Sequence, residues 1–265
     1  MILTVDIGNS RIKYASWRSD RIVDRGVVTY AKDNPSESFD PLFSVNSAMS
    51  GERPSRVCAV CVAGDDISQA LSEWVKQHWQ LDVEYLKTEK QYEDIVNAYQ
   101  DPAQHGVDRW AGIVAAHLRF PGRPVCVIGA GTAITFDLMT KNGRHQGGYI
   151  LPSYATMHAA LMSDTANVES THSESADSMK FDECGIPDNT NDAVNQGLHR
   201  FIRAGVRDLC QFAEDNMDES MKLIITGGSA ETILAYPGMP VMLHEPDLVM
   251  QGLYTIMKQR KGSNG

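Results

Sequence analysis

The stretch TVDIGNSRIK, Thr4–Lys13, interrupts an apolar strand-like run with an Asp, a Gly and two small polar residues, then resumes it at once. Such a pattern reads as two strands joined by a tight polar turn. The arrangement returns in VIGAGTAITF, where Gly129-Ala130-Gly131-Thr132-Ala133 takes the place of Asp6-Ile7-Gly8-Asn9-Ser10. The surroundings repeat as well. ILTVDI, RIKYASW and RIVDRGVVTY are three strand-like runs; RVCAVCV, the helically spaced DISQALSEWVKQHW, LDVEYL and the helix GVDRWAGIVAAHLRF follow. After Pro121–Pro124 the order starts again. PVCVIGAG, AITFDLM and RHQGGYILP are strands, SYATMHAALM a helix and NDAVNQGLHRFIRAGVRDLCQFAEDN a long helix. KLIIT with AETILAY, then PVMLH with LVMQGLYTIMKQ, close the series. Three strands followed by alternating strands and helices, twice over, predict an α/β chain of two duplicated domains, 1–121 and 122–265, with a cleft between them. The polar segment from Asp164 to Asn189 reads as a mobile loop, and RKGSNG as a frayed tail.

Composition narrows the function. A chain of 265 residues that is 42% hydrophobic can bury full cores. Its formal net charge of −10 argues against a nucleic-acid binder, which would show a basic face. No apolar run approaches the roughly 20 residues of a membrane span, and no secretory signal precedes the first strand. We therefore expect a cytoplasmic protein acting on small ligands. Cys58 and Cys61 share C-x-x-C spacing but lie in a β-branched run, which points them to opposite faces. They read as reduced core thiols, and the histidines show no metal-site spacing.

The turns carry the first chemistry. Gly8 and Gly131 admit either a positive φ or the close approach of a ligand. Asn9, Ser10 and Thr132 add side-chain donors, Lys13 adds a positive charge, and exposed backbone N–H groups form nests for phosphate oxygens. Asp6 is a carboxylate placed where Mg²⁺ bridges phosphates. A single turn of this kind is better explained as an ordinary hairpin; its repetition favours a polyphosphate grip. The dinucleotide fingerprint G-x-G-x-x-A also fits VIGAGTAI, but it must open a helix and be followed by an acid about 20 positions on. Here a strand follows, and Gly148–Tyr154 contains no acid.

A second centre lies in YQDPAQHGVDRWAG. Asp108 at a helix start is placed to take a proton from a substrate hydroxyl, and Arg109 to hold a carboxylate or phosphate bidentately. Both are equally readable as residues that complement a helix dipole. Trp74, Trp110 and the helical methionines read as core, and His105 and His145 as solvated neighbours of the motifs.

Taken in order, these motifs resemble the type III pantothenate kinases. They are D-x-G-N-[ST]-x-x-K at Asp6–Lys13, Tyr99 upstream of G-x-D-R at Gly106–Arg109, and G-T-A-x-T at Gly131–Thr135. GGYILP at Gly147–Pro152, NTNDAV around Thr190 and ITGGSA at Ile225–Ala230 complete the set. The family sits in the superfamily of acetate and sugar kinases, actin and the heat-shock chaperone ATPases. The resemblance implies two ribonuclease-H-like domains with mixed sheets and flanking helices, and a homodimer. It implies transfer of the γ-phosphoryl group of ATP to the primary hydroxyl of pantothenate, the first step of coenzyme A synthesis. Asp6, Ile7, Gly8, Asn9, Ser10, Arg11, Ile12 and Lys13, with Gly131 and Thr132, would bind ATP, and Asp6 would lie near Mg²⁺. Tyr99, Gly106, Val107, Asp108, Arg109 and Thr190 would bind pantothenate, with Asp108 as general base. Asn9 and Asp137 are further candidates to assist the metal or phosphates.

Two positions depart from the family pattern. Gly129 stands where the family commonly has an Asp linked to a bound K⁺ or NH₄⁺, which implies that a monovalent cation is bound differently here or is not needed. Ser153 stands where Gly commonly follows the proline, a change expected to alter only the turn. Two rival readings share the fold: a non-catalytic accessory or regulatory protein, and a kinase of another small hydroxy acid.

Overall fold

The structure, a computed structural model, describes residues 1–30, 38–39, 53–164, 171, 185–217 and 221–260. Most of the polar segment read as a mobile loop, and the tail after Arg260, lie outside the described residues. In chain order the elements are β1 (Ile2–Ile7), β2 (Arg11–Arg18), β3 (Arg21–Thr29), β4 (Arg56–Cys61), α1 (Asp65–Trp79), β5 (Val83–Tyr85), β6 (Gln91–Tyr92), β7 (Ile95–Val96) and α2 (Val107–Arg119). There follow β8 (Val125–Ala130), β9 (Ala133–Met139), β10 (His145–Pro152), α3 (Tyr154–Asp164), α4 (Thr190–Asn216), β11 (Lys222–Thr226), α5 (Ala230–Leu234), β12 (Leu243–His244) and α6 (Leu248–Gln259).

The chain divides into two compact units. One comprises Met1–Tyr92, Tyr99–Ala115 and Asp247–Gly265; the other comprises Glu93–Ala98 and Ala116–Pro246. The first unit holds a five-stranded sheet in the order β3-β2-β1-β4-β5, and the second holds one in the order β10-β9-β8-β11-β12. In each, the first three strands are antiparallel and the next two join in parallel. The repeat in the sequence is thus a repeat of topology.

Strand burial follows position in the sheet. β1 and β4 are central and buried on both faces, so they read as near-continuous apolar runs. β3 lies at the edge and alternates between exposed and half-buried residues. On one face Leu3, Val5 and Ile7 pack with Ile67, Leu71 and Val75, which recur every fourth residue on α1. On the other, Ala15 and Trp17 meet Met250 and Tyr254 of α6, and the Trp17 and Tyr254 rings stack at 4.2 Å. The buried Thr4 is satisfied on both sides. It donates to the Ala15 carbonyl at 3.1 Å and accepts from Trp17 Nε1 at 2.8 Å. In the second unit a stripe on α4, Leu198, Ile202, Val206, Cys210 and Ala213, joins Cys126, Ile128, Phe136 and Ile225 in one core. Each large aliphatic side chain so buried contributes roughly 1.5–3 kcal/mol. Trp74 and Trp110 are core residues as the spacing indicated, and Cys58, Cys126 and Cys210 are buried thiols.

Candidate active site

Strand pairing builds the first turn. Asp6 faces Lys13 across β1 and β2, and Ile7 faces Ile12 where the strands meet. Ile7 and Ile12 are fully buried, so their side chains anchor the turn in the core. The Gly8 N–H donates to the Arg11 carbonyl at 3.0 Å, and Tyr30 donates its hydroxyl proton to the Gly8 carbonyl at 2.9 Å. Asn9, Ser10 and Arg11 are exposed on this rigid base. In the second unit the Gly131 N–H donates to the Ala133 carbonyl at 3.0 Å, and Thr132 is exposed.

Neither turn glycine has a positive φ. A methyl group on Gly8 would lie 3.4 Å from the Arg11 carbonyl oxygen, and one on Gly131 3.8 Å from that of Ala133, both ordinary contacts. Of the two reasons the sequence allowed for these glycines, backbone conformation is excluded. The protein's own packing does not demand them either.

Asp108 is the second residue of α2, half-buried, and its Oδ1 accepts the Arg109 N–H at 2.8 Å. A side chain at Gly106 would come within 2.8 Å of that same Oδ1, so the glycine makes room for the carboxylate. The half-buried Asp6 carboxyl is pushed up to about 6. Burial is the main cause, the charge of Asp108 adds to it, and Lys13 partly offsets it. Two carboxylates thus crowd each other beside one lysine. The residues fit a divalent cation, which would relieve that crowding.

Arg109 is buried at 9% exposure, and its Nη1 donates to the Tyr99 hydroxyl at 3.3 Å. Its guanidinium carbon lies 5.9 Å from the centre of the Tyr99 ring, within cation–π range. Val107 opens α2 and is half-buried. The structure therefore brings Asp6, Lys13, Tyr99 and Gly106–Arg109 into the first unit. Gly131, Thr132 and Thr190 belong to the second. There Thr190 is the exposed first residue of α4, behind an Asn189 side chain that accepts the Asp192 N–H at 3.0 Å.

Two histidines correct the sequence reading. His105 is 1% exposed and stacks on the Tyr99 ring at 4.7 Å. His145 is also buried: its Nε2 lies 3.1 Å from Asp137 Oδ1, and its Nδ1 accepts the Ala98 N–H at 3.4 Å. Asp137, a candidate to assist metal or phosphates, is only 2% exposed and held in this pair. A histidine beside a motif looks solvated in sequence because the partners that bury it are distant in the chain. Polar and small residues flank both histidines, so no local signal marked either as buried.

The family model of type III pantothenate kinase matches residues 2–211. The chain belongs to the type III pantothenate kinase family. It is 33% identical to the type III pantothenate kinase of Nitrosococcus oceani, covering 97% of this chain and 94% of that one. With that of Alkalilimnicola ehrlichii it shares 31% identity, covering 97% and 98%. A solved structure, the activator of the 2-hydroxyisocaproyl-CoA dehydratase from Clostridium difficile with bound ADPNP, superposes with a TM-score of 0.54. That likeness, at 12% identity and covering 99% and 96% of the two chains, shows the shared fold alone. The fold is the α/β fold of the actin-like ATPases, two mixed sheets with flanking helices.

The two departures of this member of the type III pantothenate kinase family have local structural counterparts. Gly129 is the penultimate residue of β8, as Asp6 is of β1. Its cross-strand partner is Thr135, whose Oγ1 would lie 2.5 Å from a methyl group placed on residue 129. The threonine hydroxyl fills the space a side chain there would take. Ser153 does more than alter a turn. Its Oγ accepts the Thr156 N–H at 3.3 Å at the start of α3, and lies 3.1 Å from Thr156 Oγ1. Thr156 in turn donates to the Thr132 carbonyl at 3.2 Å.

Proposed function

We propose that this protein transfers the γ-phosphoryl group of ATP to the primary hydroxyl of pantothenate, and so performs the first step of coenzyme A synthesis. The observation that carries the reading is the pair Asp6 and Asp108. One carboxylate sits beside a lysine at a phosphate-type turn, and the other at a helix start next to a buried arginine.

The Asp6–Lys13 turn binds the phosphates of ATP, and so do Gly131 and Thr132 in the second unit. Lys13 offers the charge, and Asn9, Ser10 and Thr132 the side-chain donors. Gly8 and Gly131 let phosphate oxygens approach the backbone. Asp6 would hold Mg²⁺ through water or phosphate oxygens. When bound, that ion neutralises charge that develops on the phosphates. Pantothenate is held by Tyr99, Gly106, Val107, Arg109 and Thr190, with the Arg109 fork on its carboxylate. Asp108 accepts the hydroxyl proton as the oxygen attacks. The Arg109 N–H that it accepts fixes its rotamer for this task. Phosphoryl transfer asks little more of a protein than such positioning and charge stabilisation.

The working form is a cytoplasmic homodimer. Tyr149, Ile150, Phe201 and Phe212, apolar side chains exposed on the second unit, support this reading. A monovalent cation is held without a carboxylate from residue 129, because that residue is a glycine.

The test is release of ADP by purified protein with ATP, Mg²⁺ and pantothenate, beside an Asp108→Asn variant. We expect pantothenate-dependent turnover that falls roughly 100-fold or more in the variant. Absence of turnover in the wild type, with K⁺ and NH₄⁺ both supplied, would instead favour the accessory-protein reading.

A further inference from the structure

His105 sits in a chain of contacts that leads from the core to the substrate side of the site. Trp110 is fully buried, and the His105 ring meets it edge-on at 6.1 Å. His105 stacks on Tyr99 with the planes 9° apart. Tyr99 accepts a hydrogen bond from Arg109 Nη1 and lies beneath its guanidinium. The loop that carries both rings is pinned along its length. The His105 carbonyl accepts the Thr88 hydroxyl at 2.7 Å, and the Tyr99 carbonyl accepts from Lys90 Nζ at 2.7 Å. Between them the Asp101 side chain accepts the Ala103 N–H at 3.0 Å, and the His105 N–H donates to the Pro102 carbonyl at 3.0 Å.

An arginine that must meet a carboxylate with a bidentate fork has several flexible torsions to fix first. Its fork is set here by a tyrosine hydroxyl, and the tyrosine ring is half-buried and supported on its flat side. We propose that His105 is a positioning residue: its ring sets the plane of Tyr99, which sets the fork of Arg109 for the substrate carboxylate. The inference rests on the reading of Arg109 as the partner of the pantothenate carboxylate. It assigns His105 a flat face rather than a proton, so any flat ring of similar size does the same work.

Two variants separate this role from plain packing. His105→Leu keeps apolar bulk and loses the flat face; His105→Phe keeps a flat ring and loses the nitrogens. We expect His105→Leu to raise the KM for pantothenate about 10-fold, the scale of one weakened charge-assisted hydrogen bond, and to leave the KM for ATP within about 2-fold. His105→Phe restores the pantothenate KM to within about 2-fold of wild type. The inference is overturned if His105→Leu leaves the pantothenate KM unchanged, or if it raises both KM values alike, as general loosening would. It is also overturned if His105→Phe behaves like His105→Leu. Failure of the functional reading looks different: the wild type itself then forms no ADP in response to pantothenate.

Discussion

Asp108 lies close enough to Asp6 for its charge to help lift the Asp6 carboxyl to about 6. In the unfolded chain the same carboxyl titrates near ~3.9. Between those values the native state binds more protons than the unfolded one, so stability falls as pH rises through the window. Above about pH 6 the folded protein carries the full penalty, at most about 3 kcal/mol for a shift of this size. Asp6→Asn removes it. We expect this variant to melt at a higher temperature than wild type at pH 7.5 without Mg²⁺ or nucleotide, and to lose turnover. The gain should vanish below about pH 4. A variant that is inactive and also less stable at pH 7.5 would contradict the crowding of the two carboxylates.

The same pair predicts a pH dependence of nucleotide use. Protonated Asp6 is a poor partner for Mg²⁺, so the KM for Mg-ATP should rise as pH falls through about 6. Asp108→Asn takes away one of the groups that raise Asp6, and the break should move to lower pH. Binding of Mg-ATP without pantothenate, followed by calorimetry from about pH 5 to about pH 8, roughly one unit or more either side of the break, reads this without relying on turnover. An unmoved break would assign the lifted carboxyl to burial alone.

Arg109→Lys keeps the charge and removes the planar fork. The Tyr99 hydroxyl and ring, arranged around a guanidinium, then face a compact ammonium. The KM for pantothenate should rise about 10- to 100-fold, in line with the loss of a charge-assisted bidentate contact, with a smaller effect on the KM for ATP. Equal changes in both constants would point to damage in α2 rather than to a lost substrate contact.

The sequence made the repeated sheet legible because two independent signals coincide in it. Apolar strands of the right length flank the polar turns, and the order of elements repeats around them. It also exposed Asp6, Asp108 and Arg109, since charged residues at turns and helix starts stand out against an apolar background. What it hid depends on distance in the chain. The effect of Asp108 on Asp6 arises only when α2 is folded near the end of β1. The strands Gln91–Tyr92 and Ile95–Val96 are two residues each, too short to show any period. Ser153 reads as a turn residue until Thr156 is seen to link it to Thr132. The burial of His105 and His145 depends on a tyrosine ring and on a carboxylate of the neighbouring strand.

That last pair gives a prediction about the second unit alone. Asp137 on β9 and His145 on β10 are both buried, and the histidine bridges the carboxylate to the Ala98 N–H. The Ala98 N–H can only donate, so towards it Nδ1 is the acceptor; Asn97 Oδ1 lies 3.4 Å from the same nitrogen, and Asp137 Oδ1 lies 3.1 Å from Nε2. His145→Ala deprives a buried carboxylate oxygen of its donor and the Ala98 N–H of its acceptor. We expect a loss of about 2–4 kcal/mol in urea unfolding, in the range for breaking one side of a buried polar pair. Asp137→Asn keeps an oxygen that accepts from Nε2, and should cost less, about 1 kcal/mol. In the double variant the asparagine no longer has the histidine to meet, and a neutral amide is less costly to leave than a carboxylate. The two losses should therefore fail to add, with a coupling of about 1 kcal/mol or more. Additivity within about 0.5 kcal/mol would mean that the two side chains are buried side by side without acting as a pair.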